Sequence, residues 1–269
     1  MTSMTNQKIS ETGGCRVFRE KLEFLGEYTS WLWGCGATCI RIEKNVGRIS
    51  AALGVEVDVT VMPGHVELYA RAPQGDMELP VVIRKAPRCG INFTINTRLS
   101  RLSWEIADGK VGYGEAMEKF REIISSPPTP RDEVLLLASL ANGAFCRLFG
   151  GDIIAVALVF IATLAGFKLK QMMLASKRDV RLTFLCCAFF SASISAGASI
   201  FGWGDTPEIA LATSVLYLIP GVPYINSASD LLAGHYLCAF SRFVDALVLT
   251  ACLSVGLCAG MYLLGFSLP

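Results

Sequence analysis

Three stretches of this 269-residue chain run for about twenty residues each without a single charge: Leu182–Gly204, Ile209–Ser229 and Ala246–Pro269. A helix needs about 20 mostly apolar residues to cross the hydrocarbon core of a bilayer, so several such runs in one chain point to a membrane protein. Two further stretches fit with a blemish. Val134–Gly151 is interrupted by Arg147, and Ile153–Leu174 carries Lys168 and Lys170 near one end. Five spans are therefore expected, at residues 133–151, 153–174, 182–204, 208–229 and 243–267. The Gly150-Gly151 pair leaves almost no connection between the first two, which makes a re-entrant hairpin the alternative there.

Charge divides the chain at Arg131. Residues 1–130 hold 16 Lys+Arg and 15 Asp+Glu, whereas residues 131–269 hold only 8 of each. The expected fold class is thus mixed: a cytoplasmic α+β domain over residues 1–126, a Pro-rich linker over 127–132, and an α-helical membrane domain of five transmembrane helices over 133–269. Both halves are near neutral within the net charge of +1, so no basic stripe suits a nucleic-acid partner. The polar start MTSMTNQKISETGGCR lacks the apolar core of a secretion signal. Ten cysteines show no CxxC pair or His-Cys cluster of metal-ligand spacing, so no metal or other cofactor is expected and all ten are read as reduced thiols.

Within the first half, Phe18, Leu22, Leu25 and Leu32 fall at helical spacing, as do Ile42, Val46, Ile49 and Leu53. Val55, Val57, Val59 and Val61 then alternate with Glu56, Asp58 and Thr60, as a half-buried strand does. Pro63-Gly64 turns the chain into a second strand from His65, and Gln74-Gly75-Asp76 into a third at Leu79–Lys85. A short fourth strand is expected at Gly90–Ile95. Leu99, Leu102 and Ile106 begin a helix, and Met117, Phe120 and Ile124 another. The order suggests helices packed on an antiparallel sheet. The half has no Gly-rich phosphate loop, no GxSxG and a single histidine, His65, so no catalytic constellation emerges and an enzyme is not expected.

Orientation follows the basic residues. Lys168, Lys170, Lys177, Arg178 and Arg181 surround the connection after the second span, which places it inside. Asp205 and Glu208 mark an outer connection. Counting spans puts residues 1–130 in the cytoplasm and the C-terminus outside.

Polar features interrupt the apolar half. In LIPGVPYINSASD, Leu218–Asp230, Pro220 and Pro223 flank Gly221, and proline removes an amide donor and clashes with the preceding turn. A broken span is expected. Bared backbone groups are tolerated within a bilayer only where protein or an aqueous cavity surrounds them, and transporters place substrate at such breaks. The candidate substrate-binding residues are Pro220, Gly221, Pro223, Asn226 and Asp230, with Arg147 offering a guanidinium to a carboxylate. Asp230, Asp152 and His235 are candidates for ion coupling. A kinked packing helix, a helix-capping Asp230, and an Arg147 that snorkels or pairs with Asp152 are the simpler readings of the same residues. The run SASISAGAS (Ser191–Ser199) and the spacing of Cys252, Gly256 and Gly260 mark close helix–helix contacts.

Together these segments resemble the threonine/serine exporter family, in particular its small two-component form. The likeness is carried by ATSVLYLIPGVPYINSASDLLAGH (Ala212–His235), and more weakly by GCGATCIRIE (Gly34–Glu43) and FCRLFGGD (Phe145–Asp152). The resemblance implies a cytoplasmic N-terminal region followed by five spans, and efflux of small polar metabolites across the bacterial inner membrane, driven by an ion gradient. It implies a second small membrane subunit, because single-chain members carry a further membrane region. Split relatives are associated with succinate, single-chain ones with threonine and serine. The expected function is a subunit of a secondary exporter of small carboxylates, working as an oligomer in the lipid bilayer. The alternative is a membrane-anchored regulatory or binding protein whose cytoplasmic domain does the work.

Overall fold

The computed structural model describes residues 2–71, 81–87 and 89–263, with side chains from residue 16 and not at 71 or 198–200. The chain is mostly helical with one small sheet, and it divides into two compact units. One unit holds Met1–Pro127 together with Pro223–Phe243, and the other holds Pro128–Val222 together with Val244–Pro269. Segment 223–243, expected with the membrane half, thus packs with the N-terminal half.

In the first unit, α1 (Thr2–Gly34) and α2 (Cys39–Leu53) precede a three-stranded antiparallel meander of β1 (Glu56–Met62), β2 (His65–Arg71) and β3 (Val81–Lys85). Pro63 and Gly64 form the two-residue turn between Met62 and His65, with Gly64 at φ +89°, a conformation open to glycine at little cost. The expected alternation holds: Val55 and Val61 are buried, Val57 and Val59 half-buried, and Glu56, Asp58 and Thr60 exposed. Val66, Leu68 and Ala70 of β2 point into the same core. The fourth strand expected at Gly90–Ile95 is not formed. Asn92 instead caps α3 (Phe93–Ala107), its side chain accepting the Ile95 amide at 3.1 Å, and an Asn that satisfies an orphan amide favours the helix start. The turn expected at Gln74–Asp76 lies outside the described residues, as do Leu79 and Pro80. Helix α4 (Tyr113–Ile124) completes the array. Leu22, Leu25, Tyr28, Ile42, Ile49, Leu99, Leu102 and Phe120 fill a fully buried core, with the Tyr28 hydroxyl donating to the Leu99 carbonyl at 2.8 Å.

The second unit contains α5 (Arg131–Leu148), α6 (Ile153–Ala175), α7 (Val180–Ile200) and α8 (Pro207–Ser214). A single 3-10 turn at Leu216–Leu218 follows, and α9 (Gly221–Leu232) and α10 (Tyr236–Leu263) each run across the division between the units. Among the described residues, α6, α7 and α10 are long and apolar enough to cross a membrane, and the broken pair Pro207–Leu218 and Gly221–Leu232, bent by 62°, brings the number to four if it counts as one span. Helix α5 falls short of that standard because its 18 residues begin with Arg131, Asp132 and Glu133 and end near Arg147. The small-residue spacing has the expected use. A Cβ at Gly256 would strike the Leu185 carbonyl and one at Gly260 would lie 2.9 Å from the Ala192 methyl, so α10 and α7 pack backbone to backbone.

Candidate functional site

The helix break sits at Ile219–Pro220. Ile219 is extended (φ −60°, ψ 124°), and the Gly221 amide reaches only as far as the Ile219 carbonyl, at 2.8 Å. Gly221 and Pro223 already belong to the first turn of α9, where a missing amide donor costs nothing because that turn has no intrahelical acceptor for it. The interruption is therefore narrower than the Pro-Gly-x-Pro pattern suggests, and Pro220 supplies it.

The polar residues after the break turn toward their own unit. Asn226 donates through Nδ2 to the Gly36 carbonyl at 2.8 Å. Asp230 is completely buried and accepts the Cys39 amide on Oδ1 at 2.8 Å. Cys39 opens α2, whose N-cap residue, Thr38, makes no side-chain cap. A carboxylate distant in sequence thus caps α2, where exposed amides and the helix dipole favour negative charge. Arg242 lies 2.9 Å from Asp230 Oδ2, donates to the Ala37 carbonyl at 2.6 Å, and stacks 4.1 Å above the Trp33 ring. Burying either charge alone would be costly; paired, hydrogen-bonded and stacked, both are tolerated. His235 lies 3.3 Å from Glu43, while its amide donates to the Asp230 carbonyl at 2.8 Å. Asn226 and Asp230 are therefore brought together around the turn 34–39, with His235 against Glu43 of α2.

Arg147 and Asp152 belong to the other unit, and they do not pair with each other. Arg147 donates to the Gly151 carbonyl at 3.0 Å. Asp152 caps α6 through the Ala155 amide at 2.9 Å and takes up the Thr206 hydroxyl and the Asp205 amide at 2.9 and 3.2 Å.

Sequence reading passed over a second polar group. Asn142 of α5 donates to Thr163 Oγ1 of α6 at 2.6 Å and to the Thr213 carbonyl of α8 at 3.0 Å. Tyr217, in the 3-10 turn before the break, shares a hydrogen bond with Ser191 of α7 at 2.9 Å. Asn142, Tyr217 and Leu216 line a cavity of about 420 Å³ with Phe145, Phe149 and Phe167. A signal existed: Asn142 is an amide amid an apolar run, and such residues within spans face the protein interior. Among the described residues, no three His, Cys, Asp or Glu side chains gather in a way that could hold a metal ion.

Residues 23–264 match the family model ThrE, described as "Putative threonine/serine exporter". The chain is 25% identical over 231 residues to a Klebsiella aerogenes protein named "Probable succinate transporter subunit YjjP", covering 86% of this chain and 88% of that protein. The protein of the same name from Escherichia coli K12 is 25% identical over the same length, with 86% and 89% covered. A Mycobacterium tuberculosis protein named "Probable threonine/serine exporter" is 29% identical over 185 residues, which are 66% of this chain and 34% of that protein. No solved structure matches.

Proposed function

Because the chain belongs to the threonine/serine exporter family, we propose that it is one subunit of a two-subunit secondary exporter that carries small carboxylate-bearing metabolites, succinate or threonine and serine, out of the bacterial cytoplasm. Relatives named as succinate transporter subunits, aligned over most of both chains, support the substrate class and the second small membrane subunit. Transport, not catalysis, is the work.

In this reading five helices cross the inner membrane: α5, α6, α7, the broken pair around Pro220, and α10. Residues 1–126 lie in the cytoplasm, joined through 127–132, and the C-terminus lies outside, as the Lys and Arg distribution favours. The carrying observation is the cavity beside the break. Leu216 and Tyr217, in the 3-10 turn that leads into Ile219–Pro220, line it with Asn142. The Asn142 amide and the Tyr217 hydroxyl, hydrogen-bonded within the unit, are the polar groups of an otherwise apolar lining, and a small polar passenger would exchange for those partners. Arg147, at the end of α5, offers a carboxylate a cationic stop. Asn226 and Asp230 hold the chain after Pro223 to its unit, and substrate meets them only if that clasp opens. His235, set against Glu43 at 3.3 Å, and Asp152 are the candidates for ion coupling.

Cells lacking this chain and its second subunit should retain more succinate, threonine or serine when these accumulate. Unchanged efflux of all three would overturn the assignment.

A further inference from the structure

Cys35 and Cys89 meet sulfur to sulfur at 3.4 Å in the N-terminal unit. Cys35 is fully buried in the turn that ends α1, and Cys89 is exposed on the connection between β3 and α3. The two segments are already held together: the Asn92 amide donates to the Cys35 carbonyl at 3.1 Å, and a Cβ at Gly34 would fall 2.6 Å from the Pro87 carbonyl. A disulfide needs its sulfurs about 2.0 Å apart, a closure of little more than an ångström from the distance observed.

We propose that Cys35 and Cys89 form a reversible thiol–disulfide couple, a site of oxidation by small-molecule disulfides of the glutathione class. Cys89, reachable from solvent, attacks one sulfur of the oxidant R–S–S–R as its thiolate. The S–S bond breaks, one R–S⁻ leaves, and Cys89 is held in a mixed disulfide. The Cys35 thiol gives up its proton and attacks Cys89 Sγ, expelling the second R–S⁻. Two protein thiols are oxidised, the oxidant is reduced to two thiols, and the two protons released end on those thiols. Cys35 is shut off from solvent, and burial pushes its thiol up to about 12, so the oxidant reaches Cys89 first and Cys35 reacts only with the sulfur beside it. That order suits a reducing cytosol, where protein disulfides are mostly transient and redox-sensing. The buried thiols Cys39 and Cys238 of the same unit provide an internal contrast, with no member open to the oxidant.

The position gives the couple a consequence. Gly36 and Ala37, directly after Cys35, supply the carbonyls that hold Asn226 and Arg242. A bond from Cys35 to Cys89 would tie the β3–α3 connection to the turn that clasps segment 223–243.

The test uses the full chain in detergent, titrated with oxidised glutathione, quenched in acid, alkylated and mapped by mass spectrometry. The expected product is a cross-linked peptide pair joining Cys35 to Cys89, reversed by dithiothreitol, with Cys39 and Cys238 still alkylated after denaturation. Cys35→Ala should leave a stable glutathione adduct on Cys89, and Cys89→Ser should leave Cys35 alkylatable. Wild-type chain that carries a lasting glutathione adduct on Cys89 with Cys35 free, or that keeps both thiols free, would overturn the proposal. The wild-type map decides this even if Cys35→Ala fails to fold, and the readout is independent of transport.

Discussion

Among the described residues, two buried or half-buried aspartates cap helices, one from next door and one from the far side of the sequence. Asp152 stands immediately before α6 and caps its own helix. Asp230 caps α2 across 191 residues of chain and needs Arg242 to be tolerated where it lies. The same chemistry, a carboxylate on bare amides, caps the adjoining helix in one unit, with Thr206 and Asp205 held beside it, and a helix distant in sequence in the other. Local caps contribute about 1 kcal/mol. A buried ion pair makes a different demand, because losing one partner strands the other.

The largest expected effect follows from that difference. Asp230→Ala should leave Arg242 buried without its counter-charge and lower stability by about 3–5 kcal/mol, read as a drop in thermal midpoint of the purified chain. Replacing both residues by apolar ones, Asp230→Leu with Arg242→Met, should recover part of the loss. An unaltered midpoint in Asp230→Ala would dissolve the contrast. Next comes the backbone contact of the other unit: Gly256→Leu should cost at least about 1–3 kcal/mol by forcing α10 from α7, visible as protease sensitivity of the chain in membranes. Asn142→Ala removes two hydrogen bonds inside the helical unit and should cost about 1–2 kcal/mol, with export falling further than stability alone explains. The smallest effect belongs to Asp152→Ala, which should fray the start of α6 and loosen the connection at Asp205–Thr206, seen as faster amide exchange at both places and nowhere else.

Much of the architecture was legible beforehand because it rests on short-range rules. Alternating valines announced β1, the apolar runs announced α6, α7 and α10, and Gly256 and Gly260 announced a close helix contact. The fourth strand misread Asn92, where a capping side chain outweighs the β preference of Ile91 and Phe93. The site was less legible. Pro220 marked the break, but Pro223 falls where a helix accepts proline. Nothing local to Asn226 or Asp230 reveals that their partners are Gly36 and Cys39. Pairing across about 190 residues leaves no periodicity for a sequence to display.

In the proposed function this chain moves small carboxylates only together with a second subunit. Proteoliposomes holding this chain alone, the second subunit alone, or both should be loaded with labelled succinate, threonine or serine and followed for release under an imposed proton gradient. Release well above protein-free vesicles only when both subunits are present is the expected result. Vesicles holding both correctly inserted subunits that leak all three compounds no faster than empty lipid would contradict the account.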